Sequence, residues 1–258
     1  MKKPSEIIAV DIGNTSVLFG HLSGGRLKKT HRMRTADVQA RALGILKKHF
    51  PLKKIESVVI ASVVPSAGNY LRKALPKLGL RTLLIGKDLS VPIQNKYKDP
   101  RQVGMDRLMN ALAVFQEYRR AAIVVDFGTA ITFDVVSKKG EYLGGVIAPG
   151  IEISLEALFQ KTALLPRIRL THPKGVLGRD TVESIRSGCT FGIGGLCDKI
   201  IEQIGRTCHL SPLVVATGGY AQFMARYCQK IAKIEPNLTL KGIWITYQAA
   251  LKNALTKK

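Results

Sequence analysis

One phrase occurs twice in this chain. Val10-Asp11-Ile12-Gly13 and Val125-Asp126-Phe127-Gly128 stand 115 positions apart, each closing a short run of β-branched and apolar residues. Glu6–Asp11 and Ala121–Asp126 read as strands. Thr15–Gly20 and Gly128–Asp134 read as the strands that return from them. A strand, a glycine-containing turn and a returning strand make a hairpin. Two hairpins at so long a period describe two similar α/β halves and exclude a solenoid, whose units are short.

The stretches between the hairpins alternate in type. Val38–Phe50 reads as a helix stopped by Pro51, and Glu56–Val64 as a buried strand closed by Pro65. Ala67–Leu78 is helical, Arg81–Ile85 a strand and Gln102–Tyr118 a long helix. After the second hairpin come helices over Ile151–Leu158, over Val182–Ile204 (with Gly188, Gly192 and Gly194-Gly195 inside it) and over Ala221–Gln229. The apolar run Pro212–Ala216 ends in Thr217-Gly218-Gly219. Halves of 1–118 and 119–258 follow, with no low-complexity linker, so they are expected to pack tightly around a cleft.

Charge is the other conspicuous property. The 258 residues carry 40 Lys+Arg against 18 Asp+Glu, a net of +22. Disorder is excluded, because 46% of residues are hydrophobic and only 22% charged. The cations come as scattered pairs (Lys28-Lys29, Lys47-Lys48, Lys53-Lys54, Arg119-Arg120, Lys257-Lys258) rather than as a block of like charge. No zinc finger, RRM signature or basic zipper accompanies them. They read as a solvated surface, with no specific nucleic-acid partner. Cys189, Cys197, Cys208 and Cys228 form no Cys-x-x-Cys pair, and no His stands at zinc-ligand spacing from them. Idle thiols suit a reducing cytoplasm. No window approaches the roughly 18 apolar residues of a membrane span, and Ile7–Val10 is too short for a signal peptide. A soluble cytoplasmic protein is the expectation.

The chemistry concentrates in the Asp-x-Gly turns. A glycine has no Cβ, so backbone N–H groups there can approach a phosphate. The Asp can hold a cation against phosphate oxygens, and Thr15 or Thr129 can donate to one. One such turn is weak evidence; two at matching positions in repeated halves suggest a grip on a polyphosphate. The arrangement resembles the superfamily of sugar kinases, actin and heat-shock ATPases, with Thr217-Gly218-Gly219 as the element that meets adenosine. The fold class implied is α/β, duplicated actin-like ATPase (ribonuclease H-like) domains with an interdomain active-site cleft.

A closer resemblance rests on five stretches. They are Asp11-Ile-Gly-Asn-Thr15; Tyr97 with Gly104-Met-Asp-Arg107; Asp126-Phe-Gly-Thr-Ala130 with Asp134; Gly144-Gly-Val-Ile-Ala-Pro-Gly150 with Thr162-Ala-Leu-Leu-Pro166; and Thr181-Val-Glu-Ser-Ile-Arg-Ser-Gly188. Together they are similar to type III pantothenate kinase, and with Thr217-Gly-Gly219 they span nearly the whole chain in order. The resemblance implies transfer of the γ-phosphoryl group of ATP to pantothenate, the first step towards coenzyme A, with Mg²⁺ and a monovalent cation (K⁺ or NH₄⁺).

It implies roles for individual residues as well. Asp106 is the general base, and Tyr97, Gly104, Met105, Arg107 and Thr181 bind the substrate. ATP contacts fall on Asp11, Ile12, Gly13, Asn14, Thr15, Ser16, Val17 and Leu18, on Thr129, and on Gly218 and Gly219. Asp11 organises Mg²⁺ indirectly, through water, and Asp126 holds the monovalent cation. Read without the resemblance, Asp106-Arg107 is equally a solvated ion pair, Tyr97 a loop tyrosine and Asp180-Thr181 a helix cap. Met105 and Asp180 depart from the family pattern, which usually has Ala and Asn there. A homodimer is implied too. The alternatives are another small-molecule kinase of this fold, since fold does not fix substrate, or a nucleic-acid-binding regulator that keeps the fold.

Overall fold

The computed structural model describes residues 5–256. Along the chain run β1 (Glu6–Ile12), β2 (Ser16–Ser23), β3 (Arg26–Arg34), α1 (Val38–His49), β4 (Ser57–Ser62), α2 (Pro65–Ala74), β5 (Thr82–Leu84), β6 (Gln94–Asn95) and α3 (Met105–Tyr118). Then follow β7 (Ala122–Phe127), β8 (Ala130–Val136), β9 (Glu141–Pro149), α4 (Ile151–Lys161), α5 (Thr181–Ser187), α6 (Ile193–Thr207), β10 (Leu213–Thr217), α7 (Ala221–Met224), β11 (Lys233–Ile234) and α8 (Leu238–Thr256). They form two compact units, one reaching to Glu117 and resuming at Leu238, the other Tyr118–Asn237.

In the first unit the strand order is β3-β2-β1-β4-β5. β1 and β2 pair antiparallel, and so do β2 and β3, whereas β1, β4 and β5 run parallel. Ile7, Ile8, Ala9 and Val10 are all fully buried, as expected where a strand is covered on both faces. Ile8, Val10 and Ile12 join Val38, Ala42 and Leu46 of α1 and Leu71 of α2 in one core. The α1 positions recur every four residues, which is the helical stripe that buries one face.

α8 corrects the expected division at 118/119. It packs on β1 and β4 of the first unit, with Leu238, Leu240, Ile243 and Tyr247 buried. The reason is the apolar character of β1 and β4 on both faces. α1 and α2 cover only one of them, and the C-terminal helix supplies cover for the other. Thr239 Oγ1 donates to Asn110 Oδ1 at 2.9 Å and Tyr247 Oη to Ser57 Oγ at 3.4 Å, both in buried surroundings.

The second unit repeats the plan, with the order β11-β10-β7-β8-β9. β7, β8 and β9 are antiparallel, and β7, β10 and β11 parallel. Ile123, Val125, Phe127, Ile131 and Phe133 meet Ile151 of α4 and Cys197 and Ile201 of α6. Asp134, fully buried on β8, is satisfied by the hydroxyls of Tyr142 (2.9 Å) and Thr132 (3.1 Å). The expected helix over 182–204 is α5 and α6 joined by a π-helical turn at Gly188–Gly192, where glycines tolerate the widened backbone. The expected helix over 221–229 stops at Met224. No helix among the described residues is long and apolar enough to cross a membrane.

α8 and α3 meet backbone to backbone. A Cβ on Gly242 would overlap the Met109 carbonyl. Gly242→Ala gains about 1 kcal/mol of helix propensity but forces apart a close-packed pair, at a cost of about 1–3 kcal/mol. The clash is with rigid backbone, so the variant should melt several degrees below the parent in a calorimetric scan.

Candidate active site

The first turn, Gly13-Asn14-Thr15, lies at the carboxyl end of β1, where open α/β sheets place their ligands. Asp11 pairs with Leu18 across the hairpin and is half-buried; Asn14 and Thr15 are exposed. The turn is held from both sides. Gly13 N donates to Ser16 O at 3.0 Å, and Thr35 grips the turn twice, Oγ1 to Gly13 O at 2.6 Å and N to Thr15 O at 3.0 Å. Arg32 Nη1 donates to Ser16 Oγ at 2.8 Å. Thr35 and Arg32 were not singled out in the sequence, since they lie about twenty residues beyond the turn and meet it only because β3 folds back. Ile12, Val17 and Leu18, expected to contact ATP, have their side chains in the core. They have only backbone to offer a ligand.

Asp106 comes to the same end of this sheet. Val63, which follows β4, donates from its N to Ile12 O at 3.0 Å. A Cβ on Gly104 would lie 3.3 Å from a Val63 methyl and only 2.5 Å from Asp106 Oδ1. Gly104 therefore leaves the space that the Asp106 carboxylate fills. Asp106 sits in the first turn of α3, where the helix dipole favours an anion, and it accepts from Arg107 N at 2.8 Å. Burial pushes its carboxyl above the usual carboxylate range, opposed in part by that hydrogen bond and by the Arg107 guanidinium. Arg107 is 7% exposed. Met105 packs toward Gly86, whose φ of +86° suits a residue without Cβ. Tyr97 is half-buried in the loop before α3, its N donating to Asn95 Oδ1 at 3.0 Å.

In the second unit, Asp126 ends its strand as Asp11 does. Gly128 N closes the turn on Ala130 O at 3.2 Å, and Thr129 is exposed. Thr217 of β10 stands beside Asp126 in register. Gly218 has φ +90°, and a Cβ there would overlap both the Asp126 carboxylate and the Phe127 carbonyl. A Cβ on Gly150 would overlap the carbonyls of Thr129 and Gly128. The Asp126 carboxylate is thus bounded by glycines. Thr181 opens α5 behind the Asp180 cap, which accepts from Glu183 N at 2.8 Å. It lines a cavity of about 790 Å³ with Ser154, Leu158, Leu165, Gly178 and Ser184. Ser154 belongs to α4, which starts against the 128–129 turn. Gly219 is exposed, and Tyr220 after it donates to Glu152 Oε1 at 2.9 Å. Burial, then the Glu152 bond, pushes the Tyr220 hydroxyl up to about 12. That pair carried no signal in the sequence.

A family model described as type III pantothenate kinase matches residues 7–203. The chain belongs to the type III pantothenate kinase family. It is 39% identical over 250 residues to the type III pantothenate kinase of Geobacter sulfurreducens, covering 94% of this chain and 98% of that one. It is 41% identical over 249 residues to that of Persephonella marina, covering 93% and 98%. Among solved structures it is similar to a conserved putative Baf family transcriptional activator from Campylobacter jejuni (TM-score 0.64, 18% identity, 95% and 99% covered). It is also similar to a putative 2-dehydro-3-deoxygalactonokinase from Sinorhizobium meliloti (0.59, 11%, 95% and 99%) and to MreB 5 of Spiroplasma citri bound to AMPPNP (0.57, 11%, 98% and 99%). At such identities the likeness concerns the fold, which is the duplicated actin-like ATPase fold.

Gly104 offers a direct test of how Asp106 is held. In Gly104→Ala the new methyl group meets the Asp106 carboxylate most severely and displaces it, while the Val63 methyl has only a few tenths of an ångström to give. The melting temperature should stay within a few degrees. Pantothenate kinase turnover should fall on the order of 10- to 100-fold, the size expected for a reacting group misplaced by about 1 Å.

Proposed function

We propose that this chain phosphorylates pantothenate at its hydroxyl with ATP, the first step of coenzyme A synthesis. Family membership supports the reaction. The observation that supports its site is the Asp106 carboxylate, set in space vacated by Gly104 at the start of α3, beside the nearly buried Arg107. A primary alcohol must lose a proton as it attacks the γ-phosphate, and Asp106 is the acceptor. Its raised proton affinity suits that task, because burial makes the ionised carboxylate a stronger base. Arg107 forms a fork for the pantothenate carboxylate. Tyr97 and Thr181 complete the substrate contacts. Thr15 and Thr129 donate to phosphate oxygens, with Gly218 and Gly219 at the adenosine.

Two cations belong to this reading. Among the described residues no cluster of three or more His, Cys, Asp or Glu could hold a metal. A lone carboxylate at each turn fits ions whose coordination is completed by phosphate oxygens and water. Asp11 would serve Mg²⁺ and Asp126 K⁺ or NH₄⁺, the latter in a cradle of glycines that any Cβ would fill. Their chemistry is to neutralise charge on the transferring phosphate. The homodimer also belongs here, supported by large apolar side chains left exposed in the second unit, such as Ile147, Leu164, Val176 and Leu177.

Purified protein with Mg-ATP, K⁺ and pantothenate should yield equal ADP and 4′-phosphopantothenate by mass spectrometry. ATP consumption only with another acceptor would overturn the substrate. Asp106→Asn should lose about 10²- to 10⁴-fold in kcat. Its fold should hold, because an ionised carboxylate in a site that raises its pKa is a cost at neutral pH, which the amide removes. The sign for activity is opposite. The base works ionised, so kcat/KM of the parent should drop as pH falls, with a midpoint above the ordinary carboxylate value. A midpoint at or below that value would remove Asp106 as the base.

Asp126 has its own readout. At constant ionic strength, with tetramethylammonium replacing K⁺, the parent rate should rise with K⁺. In Asp126→Asn the K⁺ needed for half-maximal rate should increase at least about tenfold, on the scale of one lost charged ligand. An unchanged K⁺ curve would move that ion elsewhere.

A further inference from the structure

The net charge is unevenly divided between the units. Residues up to Glu117 with those from Leu238 carry 25 Lys+Arg against 8 Asp+Glu, a net of +17; Tyr118–Asn237 carries 15 against 10, a net of +5. Within the first unit the excess gathers where β3 meets the end of α1. β3 is an edge strand and reads RLKKTHRMR, five cations and no acid in nine residues. α1 ends on Lys47, Lys48 and His49, and Lys53-Lys54 follow in the next turn.

The fold brings these sequence-distant pairs together. His31 of β3 stacks on His49 of α1, ring centroids 4.6 Å apart and planes 22° from parallel. Desolvation, and after it His31, Lys29 and Lys48, disfavour protonation of His49. Nearby acids are engaged elsewhere: Asp37 with Arg34 and Arg41, Glu56 with Ser5. Lys28, Lys29, Lys47 and Lys48 are exposed, and among the described residues no acidic side chain pairs with them. Lysines on an edge strand discourage edge-to-edge pairing. That accounts for β3 but not for the matching lysines on α1 and beyond it.

We infer that this face binds the phosphate backbone of a nucleic-acid duplex without reading its sequence. Exposed lysines drawn from β3, from the end of α1 and from the turn after it make a spread of charge suited to a polymer with a charge every 1.7 Å or so rather than to one small anion. The apolar residues of β3 face protein (Leu27 lies toward Gly20, and Met33 joins the core), so this face has no side chain to anchor in a bilayer, which it could hold by surface charge alone. β3 and α1 carry no Phe, Tyr or Trp on which a base could stack. Lys28, Lys29, Lys47 and Lys48 are none of the residues assigned to phosphoryl transfer, so the kinase reading stands or falls independently of them.

The test is fluorescence anisotropy with a labelled duplex of about 24 base pairs, at about 50 and 200 mM salt. The expected affinity loss between them is on the order of 100-fold. The variant Lys28→Glu/Lys29→Glu/Lys47→Glu/Lys48→Glu should bind at least about tenfold more weakly at the lower salt. The slope of log K against log salt should shrink by about 3. Lys138→Glu/Lys139→Glu/Lys230→Glu/Lys233→Glu makes the same charge change in the second unit and should lose less than about threefold. Retained kinase turnover and a melting temperature no lower than the parent's in both would certify the fold. Equal losses in the two variants would reduce the effect to net charge and overturn the inference. So would an unaffected first variant, or polyglutamate or phosphatidylserine vesicles bound more tightly than the duplex through the same lysines.

Discussion

A carboxylate at the end of a strand or the start of a helix needs room, and this chain makes the room with glycine. Gly104 leaves the volume that Asp106 occupies, and Gly218, at φ +90°, leaves the volume that Asp126 occupies. Gly150 lets the start of α4 close on the carbonyls of the 128–129 turn. In each case a single methyl group would collide with a functional oxygen or with backbone. The glycines are therefore part of the site's geometry as much as the acids are.

The repeated hairpin accounts for most of what could be read from sequence. Val-Asp-x-Gly marks β1 and β7, and the register of Asp11 opposite Leu18 and Asp126 opposite Thr132 follows from turns of similar size. The alternating strands and helices were legible because periodicity is local. α8 was not, because its place depends on a distant need: apolar β1 and β4 expose a second face that the first 117 residues do not fully cover. The π turn at 188–192 was visible only as a cluster of glycines.

The site shows the same division. Asp11, Asp106, Asp126 and their glycines stand in short motifs and could be found in the sequence. Thr35 and Arg32, which shape the first turn, and the Tyr220–Glu152 pair could not, because each acts across 16 to 68 residues of chain. Ile12, Val17 and Leu18 show what a motif leaves unsaid: strands covered on both faces bury consecutive side chains, so these three have only backbone to offer a ligand.

The charges carry that argument furthest. In sequence, Lys28-Lys29 and Lys47-Lys48 are separate pairs, each too short to signal a polyanion site. They become one surface only because β3 folds back antiparallel and α1 returns over it, with the two histidines marking the seam. The repulsion among them is a standing cost in the folded state, largest at low ionic strength where screening is weakest. Solvation and salt reduce that cost, and so does any bound polyanion, which places the same lysines at once against the stability of the first unit and in favour of a ligand. The phosphate turn lies at the other end of β3, tied to it through Arg32 and Thr35. On the two readings proposed above, one edge strand would serve two anionic demands, with a shaped backbone turn at one end and a field of exposed lysines at the other.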